Sequence, residues 1–323
     1  MNKYLILFSI VFVLLISISS VSAEGNFTEL QEDIDSSGDV LEINQDYTYN
    51  NVSDSSFSEK GVLVNKSNYV VNGNNHTVNG KYSSKIFNIT GSNITINNLN
   101  FINVNGLTNA IFVGNSNNIL FNNCAFTNVS GYGFDVSSSN LTLNNISYDC
   151  NNSEGLGVFD VSNIYLNNSN FNDLKNVSQL MNLLENNSLS FSNCNFTNIE
   201  DMTICFSYLS QIYITHCVFG NLSSDYAPIC SWGGDIFVED SKFLNTFAGL
   251  TGGAIISKYG EKLNVKNCEF IHCFSTKNGG AIFADWVKNI AILNSSFVDC
   301  FSKFGGGLLV LMSNLVVNNS VFK

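Results

Sequence analysis

The sequence predicts an all-β solenoid, a single-stranded right-handed parallel β-helix of about ten regular coils. A pattern of apolar, any, apolar, any, Asn, small or apolar, any and aromatic residue recurs ten times, at intervals of 22 to 27 residues. A period of this length is typical of stacked repeat architectures. The aromatic position is occupied by Phe101, Phe126, Tyr148, Phe171, Phe196, Phe219, Phe243, Phe270, Phe297 and Phe322.

Each copy predicts two short strands that meet at a corner. In the copy that ends at Phe126, Ile119 and Phe121 alternate as on a strand with one buried face. The alternation then slips by one at Asn123, so the later residues would point outward unless the chain bends there. Asn tolerates the left-handed backbone of such a bend. The corresponding residues of the other copies are Asn98, Asn145, Asn168, Asn193, His216, Asp240, Asn267, Asn294 and Asn319.

A third short apolar run completes each period. Three strands and three turns in about 25 residues make one coil, and successive coils stack at the strand spacing of ~4.8 Å. The predicted third strands are residues 110–113, 134–136, 158–161, 204–206, 254–256, 281–283 and 308–310.

The region between residues 24 and 92 predicts a cap followed by less regular coils. Phe27, Leu30 and Ile34 recur at helical spacing among acidic residues, which favours a short amphipathic capping helix over an acidic loop. Residues 40–43, 62–64 and 69–71 predict the first strands. The regular repeats occupy residues 93–323, and the sequence stops partway through a coil. We expect either further coils or an anchoring domain beyond this point, or a partner that covers the exposed edge.

Residues 1–23 predict an export signal. Lys3 precedes an apolar run over residues 4–20, and Val21, Ser22 and Ala23 offer small residues for cleavage. The alternative is an uncleaved membrane anchor, but the run is shorter than the ~20 residues of a spanning helix. We therefore expect a secreted or cell-surface protein.

Composition argues against a nucleic-acid partner. Asn occurs 52 times, arginine is absent and the net charge is −12. Nucleic acids and anionic membranes both require clustered cations to replace their counterions.

The nine cysteines suggest buried thiols more than a disulfide framework. Cys124, Cys194, Cys217 and Cys268 share one repeat position, where other copies carry Ser, Leu or Ile. A position that accepts these residues requires a small or medium buried side chain, which free Cys provides. A bridge between Cys194 and Cys217 on adjacent coils is the alternative.

Two sequence elements resemble known surface-protein families. Gly-Gly-Ala-Ile at residues 252–255 and 279–282, with Gly-Gly-Gly-Leu at 305–308, is similar to the repeats of chlamydial polymorphic outer-membrane proteins. Residues 71–80 and 86–90 resemble the opening of adhesin-like surface proteins of methanogenic archaea. The resemblance implies a right-handed β-helix at the cell surface with a role in adhesion.

The sequence offers weak candidates for catalysis. Glycoside hydrolysis needs two carboxylates about 5 to 10 Å apart, and Asp149 and Asp173 are the nearest pair. They share a repeat neighbourhood with Asn128 and Asn198, so we expect both to replace Asn in a turn ladder. The elements typical of polygalacturonases are missing, and no acidic cluster accompanies any lysine as a calcium-dependent lyase would require.

A metal site is the other candidate. Cys268, His272 and Cys273 lie close in sequence, and His216 adjoins Cys217. These side chains are ligands for zinc or copper. His216 and Cys268 occupy positions of the repeat that face different ways, however, so we predict neither a metal site nor a cofactor.

We therefore expect an exported, non-enzymatic β-helix that serves adhesion or envelope structure, with cell-surface glycans or proteins of a host or partner cell as ligands. The alternative is a polysaccharide lyase or glycoside hydrolase with the same fold.

Overall fold

A computed structural model describes residues 24–104, 109–149, 153–175, 177 and 179–323. Three parallel sheets run along the described chain, and each coil contributes one strand to each sheet. The predicted signal at residues 1–23 lies outside the described residues. No helix in the described part is long and apolar enough to cross a membrane.

The first sheet holds the strand that precedes the Asn corner in every coil. Its members pair in parallel and in register, so that Ile94, Ile119 and Leu141 lie side by side. Its twelve strands are Val40–Glu42, Tyr69–Asn72, Ile94–Asn97, Ile119–Asn122, Asn140–Asn144, Asn163–Asn167, Ser188–Ser192, Gln211–Thr215, Ile236–Glu239, Lys262–Lys266, Asn289–Leu293 and Asn314–Asn318.

The second sheet holds the strand that follows the corner and carries the repeat aromatics on its inner face. Its main strands are Tyr47–Thr48, Thr77–Asn79, Asn100–Val104, Ala125–Val129, Ser147–Asp149, Asn170–Asn172, Asn195–Glu200, Val218–Ser224, Lys242–Ala248, Glu269–Ile271, Ser296–Val298 and Val321–Phe322. A short further strand, Phe274–Ser275, pairs with Lys242–Ala248.

The third sheet closes the coil. Its eleven strands are Val62–Val64, Phe87–Ile89, Ile111–Gly114, Tyr132–Ser137, Gly155–Asp160, Gln179–Leu183, Thr203–Tyr208, Ile229–Trp232, Ile255–Lys258, Ile282–Asp285 and Leu308–Leu311. Four predicted strand boundaries are wrong by one residue: residues 110, 254 and 281 precede their strands, and Val161, with a φ of 46°, begins the turn after Gly155–Asp160. The prediction included Val161 only because this residue is apolar.

The Asn corner is confirmed in all ten copies. The backbone φ at this position lies between 48° and 54°, including His216 and Asp240. The side chains form a hydrogen-bonded ladder, in which Asn123 Nδ2 donates to Asn98 Oδ1 at 3.1 Å and Asn145 Nδ2 to Asn123 Oδ1 at 2.8 Å. The left-handed residue turns the second strand so that both strands face the core.

The core consists of ladders of like residues. The rings of Phe219 and Phe243 lie 4.6 Å apart and 4° from parallel, and those of Phe270 and Phe297 lie 4.6 Å apart and 2° from parallel. These aromatic residues are buried throughout the interior and exposed only at Phe322 in the last coil. Stacking adds to the hydrophobic contribution of each buried ring.

The predicted cysteine column is confirmed as inward-facing. Cys124, Cys194, Cys217 and Cys268 are each at most 1% exposed. The eight cysteines of the described residues are free thiols, and Cys150 lies outside these residues. Burial raises the pKa of Cys124 and of Cys268 to about 11.

The predicted capping helix is confirmed as Phe27–Ser36, which we call α1. Asn26 caps its N-terminus, accepting a hydrogen bond from the Glu29 amide at 2.9 Å. Phe27 and Leu30 are fully buried against the first coil. A loop with the 3₁₀ turn Ser55–Phe57 completes this end, and buried Asp54 accepts hydrogen bonds from the backbone amides of Asn50, Phe27 and Thr28.

Candidate functional site

The outer face of the third sheet is apolar in several consecutive coils. Outward positions of a solvated strand are normally polar, yet Phe206, Cys230, Ile256 and Phe283 lie side by side there in register. Cys230 and Ile256 are buried on this face, and Trp232 packs against the same cluster.

Three aromatic side chains of this face form one wall of a groove. The Phe206 ring lies 4.9 Å from the Trp232 ring and 5.3 Å from the Tyr208 ring. The rings of Tyr208 and Trp232 lie 6.1 Å apart and 30° from parallel. Tyr208 is 47% exposed, so the wall presents aromatic surface to a bound molecule.

The opposite wall of the groove is polar. This wall is formed by two connections that lead into strands of the third sheet. Asp201 has a left-handed φ of 58° in the turn before Thr203–Tyr208. Asp225 and Tyr226 lie in the loop after Val218–Ser224, where the Ser224 hydroxyl donates to the Tyr226 carbonyl. The groove has a volume of about 540 Å³, and its lining consists of Gln179, Asp201, Thr203, Phe206, Tyr208, Ser224, Asp225, Tyr226 and Trp232.

The charged side chains that line the groove are both acidic. Asp201 and Asp225 are both exposed carboxylates. Beyond the aromatic wall, the Lys258 ammonium lies 5.7 Å from the centroid of the Trp232 ring and 5.3 Å from that of Phe283. A molecule in this groove would meet aromatic rings on one side and hydrogen-bonding oxygens on the other.

A second polar cluster lies on the same face several coils away. Asn109 Nδ2 donates to Asp135 Oδ2 at 2.8 Å, and the Lys85 ammonium lies 5.2 Å from the centre of the Phe112 ring. Burial raises the pKa of Asp135, although Lys85 acts against this, and burial lowers the pKa of Lys85. Beside them, the Oδ1 atom of Asn88 is buried without a hydrogen-bond partner in the described part of the chain. The sequence did not predict this association of a lysine with a carboxylate.

The two aspartates considered for catalysis occupy different positions of the coil. Asp173 has a φ of 57° and, like Asn128 and Asn198, lies in a left-handed position two residues after its repeat aromatic, as predicted. Asp149 does not: it ends the strand Ser147–Asp149 and pairs with Thr127, one position before the ladder. The prediction for Asp149 was wrong because it follows its repeat aromatic by one residue, whereas Asp173 follows its own by two.

The candidate metal ligands lie on opposite sides of the coil wall. Cys268 and Cys273 are buried in the core, whereas the side chains of His216 and His272 are 63% and 58% exposed. His272 Nε2 lies 3.5 Å from Asp299 Oδ2. Among the described residues, no group of three or more His, Cys, Asp or Glu side chains is arranged to hold a metal ion.

None of these sequence candidates lines the groove. The signal that could have located it is the break in alternation in strands such as Thr203–Tyr208 and Ile229–Trp232, where outward positions are aromatic or apolar. The repeat pattern is defined by inward positions, so it does not show this break.

Comparison with known proteins identifies the same architecture. A family model described as the right-handed beta helix region matches residues 84–243, slightly less than half of the chain. A search of curated protein sequences finds no significant match.

Several solved structures are similar over most of their length. The A-module of the mannuronan C-5 epimerase AlgE6 from Azotobacter vinelandii has a TM-score of 0.49 and 10% identity, with 88% of this chain and 80% of that one covered. A pectate lyase variant from Xanthomonas campestris has a TM-score of 0.40 and 13% identity, with 92% and 80% covered. PfbA, a surface adhesin of Streptococcus pneumoniae, has a TM-score of 0.40 and 12% identity, with 91% and 87% covered.

At these identities the likeness concerns the fold alone. The strand pairing, the Asn corner and the family match agree on one description. The chain folds as a right-handed parallel β-helix.

Proposed function

We propose that this protein is an exported, non-enzymatic β-helix of the cell surface that binds glycans through the groove beside Tyr208 and Trp232. The observation that carries the proposal is the aromatic wall facing a polar wall. Ligand sites combine apolar and aromatic surface with a few convergent polar groups. A pyranose ring has this same division, with C–H groups on its faces and hydroxyls around its edge.

Each wall contributes a different part of the recognition. The electron-rich face of Trp232 or Tyr208 attracts the C–H groups of a sugar. Asp201 and Asp225 accept hydrogen bonds from hydroxyls, and such bonds are stronger when the acceptor is ionised. The same carboxylates repel a uronate, so the groove favours neutral or amino sugars.

The direct test is binding to a panel of soluble polysaccharides, measured by calorimetry: a neutral glucan, a chitosan and a polygalacturonate. Trp232→Ala should weaken binding at least about tenfold, the scale of a buried aromatic anchor. Tyr165→Ala is the matched control, because Tyr165 is 45% exposed on the first sheet, away from the groove. Equal losses in both variants, or binding by neither variant nor wild type, would refute the proposal.

Adhesion also requires that the polysaccharide stays intact. After prolonged incubation we expect no new reducing ends and no unsaturated sugars in any member of the panel. Appearance of either product at a rate proportional to protein concentration would overturn the non-enzymatic assignment.

One observation favours the alternative of a polysaccharide-cleaving enzyme. The Lys85 ammonium lies 5.2 Å from the centre of the Phe112 ring on the outer face of the third sheet, and burial lowers its pKa, the direction that general-base catalysis by lysine requires. In that case the polygalacturonate should yield unsaturated products, and Lys85→Met should abolish their formation while the fold, followed by circular dichroism, remains intact.

A further inference from the structure

We infer that the glycan-binding surface continues beyond the groove along a ridge formed by Tyr259, Trp286 and Met312, so that the ligand is a long polymer lying parallel to the axis of the β-helix. This inference rests on the proposed function. It adds the class of ligand, an extended chain as opposed to a terminal sugar.

The ridge follows the edge at which the third-sheet strands end, where Tyr208 and Trp232 form part of the aromatic wall of the groove. Tyr259, Trp286 and Met312 each come directly after the last residue of a third-sheet strand, in three consecutive coils. The Tyr259 amide donates to the Asp285 carbonyl at 3.0 Å, and the Trp286 amide to the Leu311 carbonyl at 3.1 Å. In the preceding coil, Gly233 occupies this position directly after Trp232. The ridge therefore begins one coil beyond Trp232, in the column next to the aromatic wall of the groove.

The ridge side chains are large, apolar and exposed. Tyr259 is 60% exposed, Trp286 58% and Met312 74%. They do not stabilise the core, and their exposure to water is unfavourable. Large exposed apolar surface rimmed by polar groups is typical of an interaction site.

The backbone at these positions is also strained. The φ angles are 59° at Tyr259, 56° at Trp286 and 48° at Met312, a left-handed conformation that bulky residues rarely adopt. Elsewhere the same column holds Asn115 and Asn186, which tolerate this backbone, and Val161 and Leu209, which tolerate it poorly. The ridge differs in placing three large left-handed side chains in consecutive coils, and strain that clusters at one place points to a role in function.

The surroundings of the ridge suit a glycan. Tyr259, Trp286 and Met312 line a recess of about 390 Å³ together with Glu261, Lys288, Ser313 and Asn314. Glu261 Oε2 and Lys288 Nζ form an ion pair of 3.0 Å, and both side chains are about two-thirds exposed. The recess, like the groove, therefore combines aromatic rings with charged and polar side chains. Successive coils lie ~4.8 Å apart, which is comparable to one sugar unit of an extended chain.

The test compares long and short ligands. Trp286→Asn and Tyr259→Asn remove a ridge side chain and leave a residue suited to the left-handed backbone. Each variant is titrated with the best-bound polysaccharide of the panel and with its size-fractionated oligosaccharides, from the disaccharide upward. We expect affinity for the polymer to fall about tenfold or more, affinity for the shortest oligosaccharides to stay unchanged, and the melting temperature to stay equal or rise.

Val161→Asn is the matched control. Val161 is 53% exposed with a φ of 46° in the same column, two coils before Tyr208 and on the side of the groove away from the ridge. Its replacement should relieve strain in the same way and leave every affinity unchanged.

The outcomes separate this inference from the proposed function. Two outcomes would show that the ridge does not extend the binding surface. Either the affinity of the wild type does not increase with chain length, or Trp286→Asn lowers the affinity for short and long ligands equally. Loss of binding to phosphatidylcholine vesicles in Trp286→Asn, with polymer binding intact, would assign the ridge to membranes and overturn the inference. If the wild type binds no glycan, both proposals fail together.

Discussion

Replacing the corner residue Asn193 by Val should destabilise the protein much more than replacing it by Gly. Asn193 has a φ of 54° between the strands Ser188–Ser192 and Asn195–Glu200. A residue with a Cβ and without the local hydrogen bonds of Asn loses roughly 1–2 kcal/mol in the left-handed conformation, and a β-branched side chain is the least suited to it. Val also loses the hydrogen bond from Asn193 Nδ2 to Asn168 Oδ1, which is 3.4 Å long and exposed. The total should be about 1–3 kcal/mol.

Gly at this corner removes the steric part of that cost. It retains the left-handed backbone freely, and its own cost is the lost hydrogen bond and the greater entropy of the unfolded chain, roughly 0.5–1 kcal/mol. The ordering of stability should therefore be Asn above Gly above Val.

The control is Asn195→Val, two residues along the same copy. Asn195 lies on an exposed, extended strand position, as predicted, and its Nδ2 donates to Asn170 Oδ1 at 2.7 Å. Val is favourable in strands, so only the exposed hydrogen bond is lost. Urea unfolding followed by circular dichroism gives the midpoints. If Val at position 195 is as damaging as Val at 193, the left-handed backbone is not the source of the cost.

Three further predictions concern the core, the cap and the glycine turns. Cys124 and Cys268, whose pKa burial raises to about 11, should resist alkylation in the folded protein and react on unfolding, as counted by mass spectrometry; rapid native labelling would contradict their inward placement. Burial would raise the pKa of Asp54, but the hydrogen bonds to its carboxylate outweigh burial and hold the pKa below its ordinary value, so its contribution to stability is present above the unfolded-state pKa and is lost as the pH falls through the folded-state pKa. Protection of the α1 amides against hydrogen exchange, relative to the intrinsic exchange rate at each pH, should fall at acid pH and, in Asp54→Asn, already at neutral pH; identical protection in that variant would contradict this. Gly280→Ala should be severely destabilising, because its Cβ would lie 1.8 Å from the Gly306 carbonyl oxygen, whereas Gly306→Ala should be milder, since its nearest contact is 3.0 Å; equal unfolding midpoints would refute the distinction.

The inward-facing half of this structure could be predicted from the sequence because each inward position has the same kind of neighbours in every coil. The position of Phe219 repeats the contacts of Phe196 below it and Phe243 above it. A residue suited to that position in one coil is suited to it in the next, so the period is visible in the sequence. The corner is equally demanding, and His216 fills it because the backbone, more than the side chain, sets the requirement.

The outward side chains of the third sheet differ in type from coil to coil, and for this reason the repeat pattern does not predict the groove. Phe206 and Trp232 are 26 residues apart in the sequence, and they meet because the intervening coil returns the chain to the same sheet. Their proximity depends on the lengths of the connections, which the pattern leaves free. The association of Lys85 with Asp135 spans two coils and is hidden from sequence reasoning in the same way.

The places where the chain departs from its own rules therefore carry the most information about function. This solenoid favours polar residues on the outside of its strands and small polar residues or Gly at left-handed turns. The third sheet breaks the first rule at Phe206 and Phe283, and its edge breaks the second at Tyr259 and Trp286. The outward apolar side chains pack into a cluster of their own, in which Phe283 is 4% exposed. Tyr259 and Trp286, by contrast, are exposed and strained. Local conflicts of this kind are expected where function outweighs stability, and here both occur along one face of the β-helix, where a bound chain would lie.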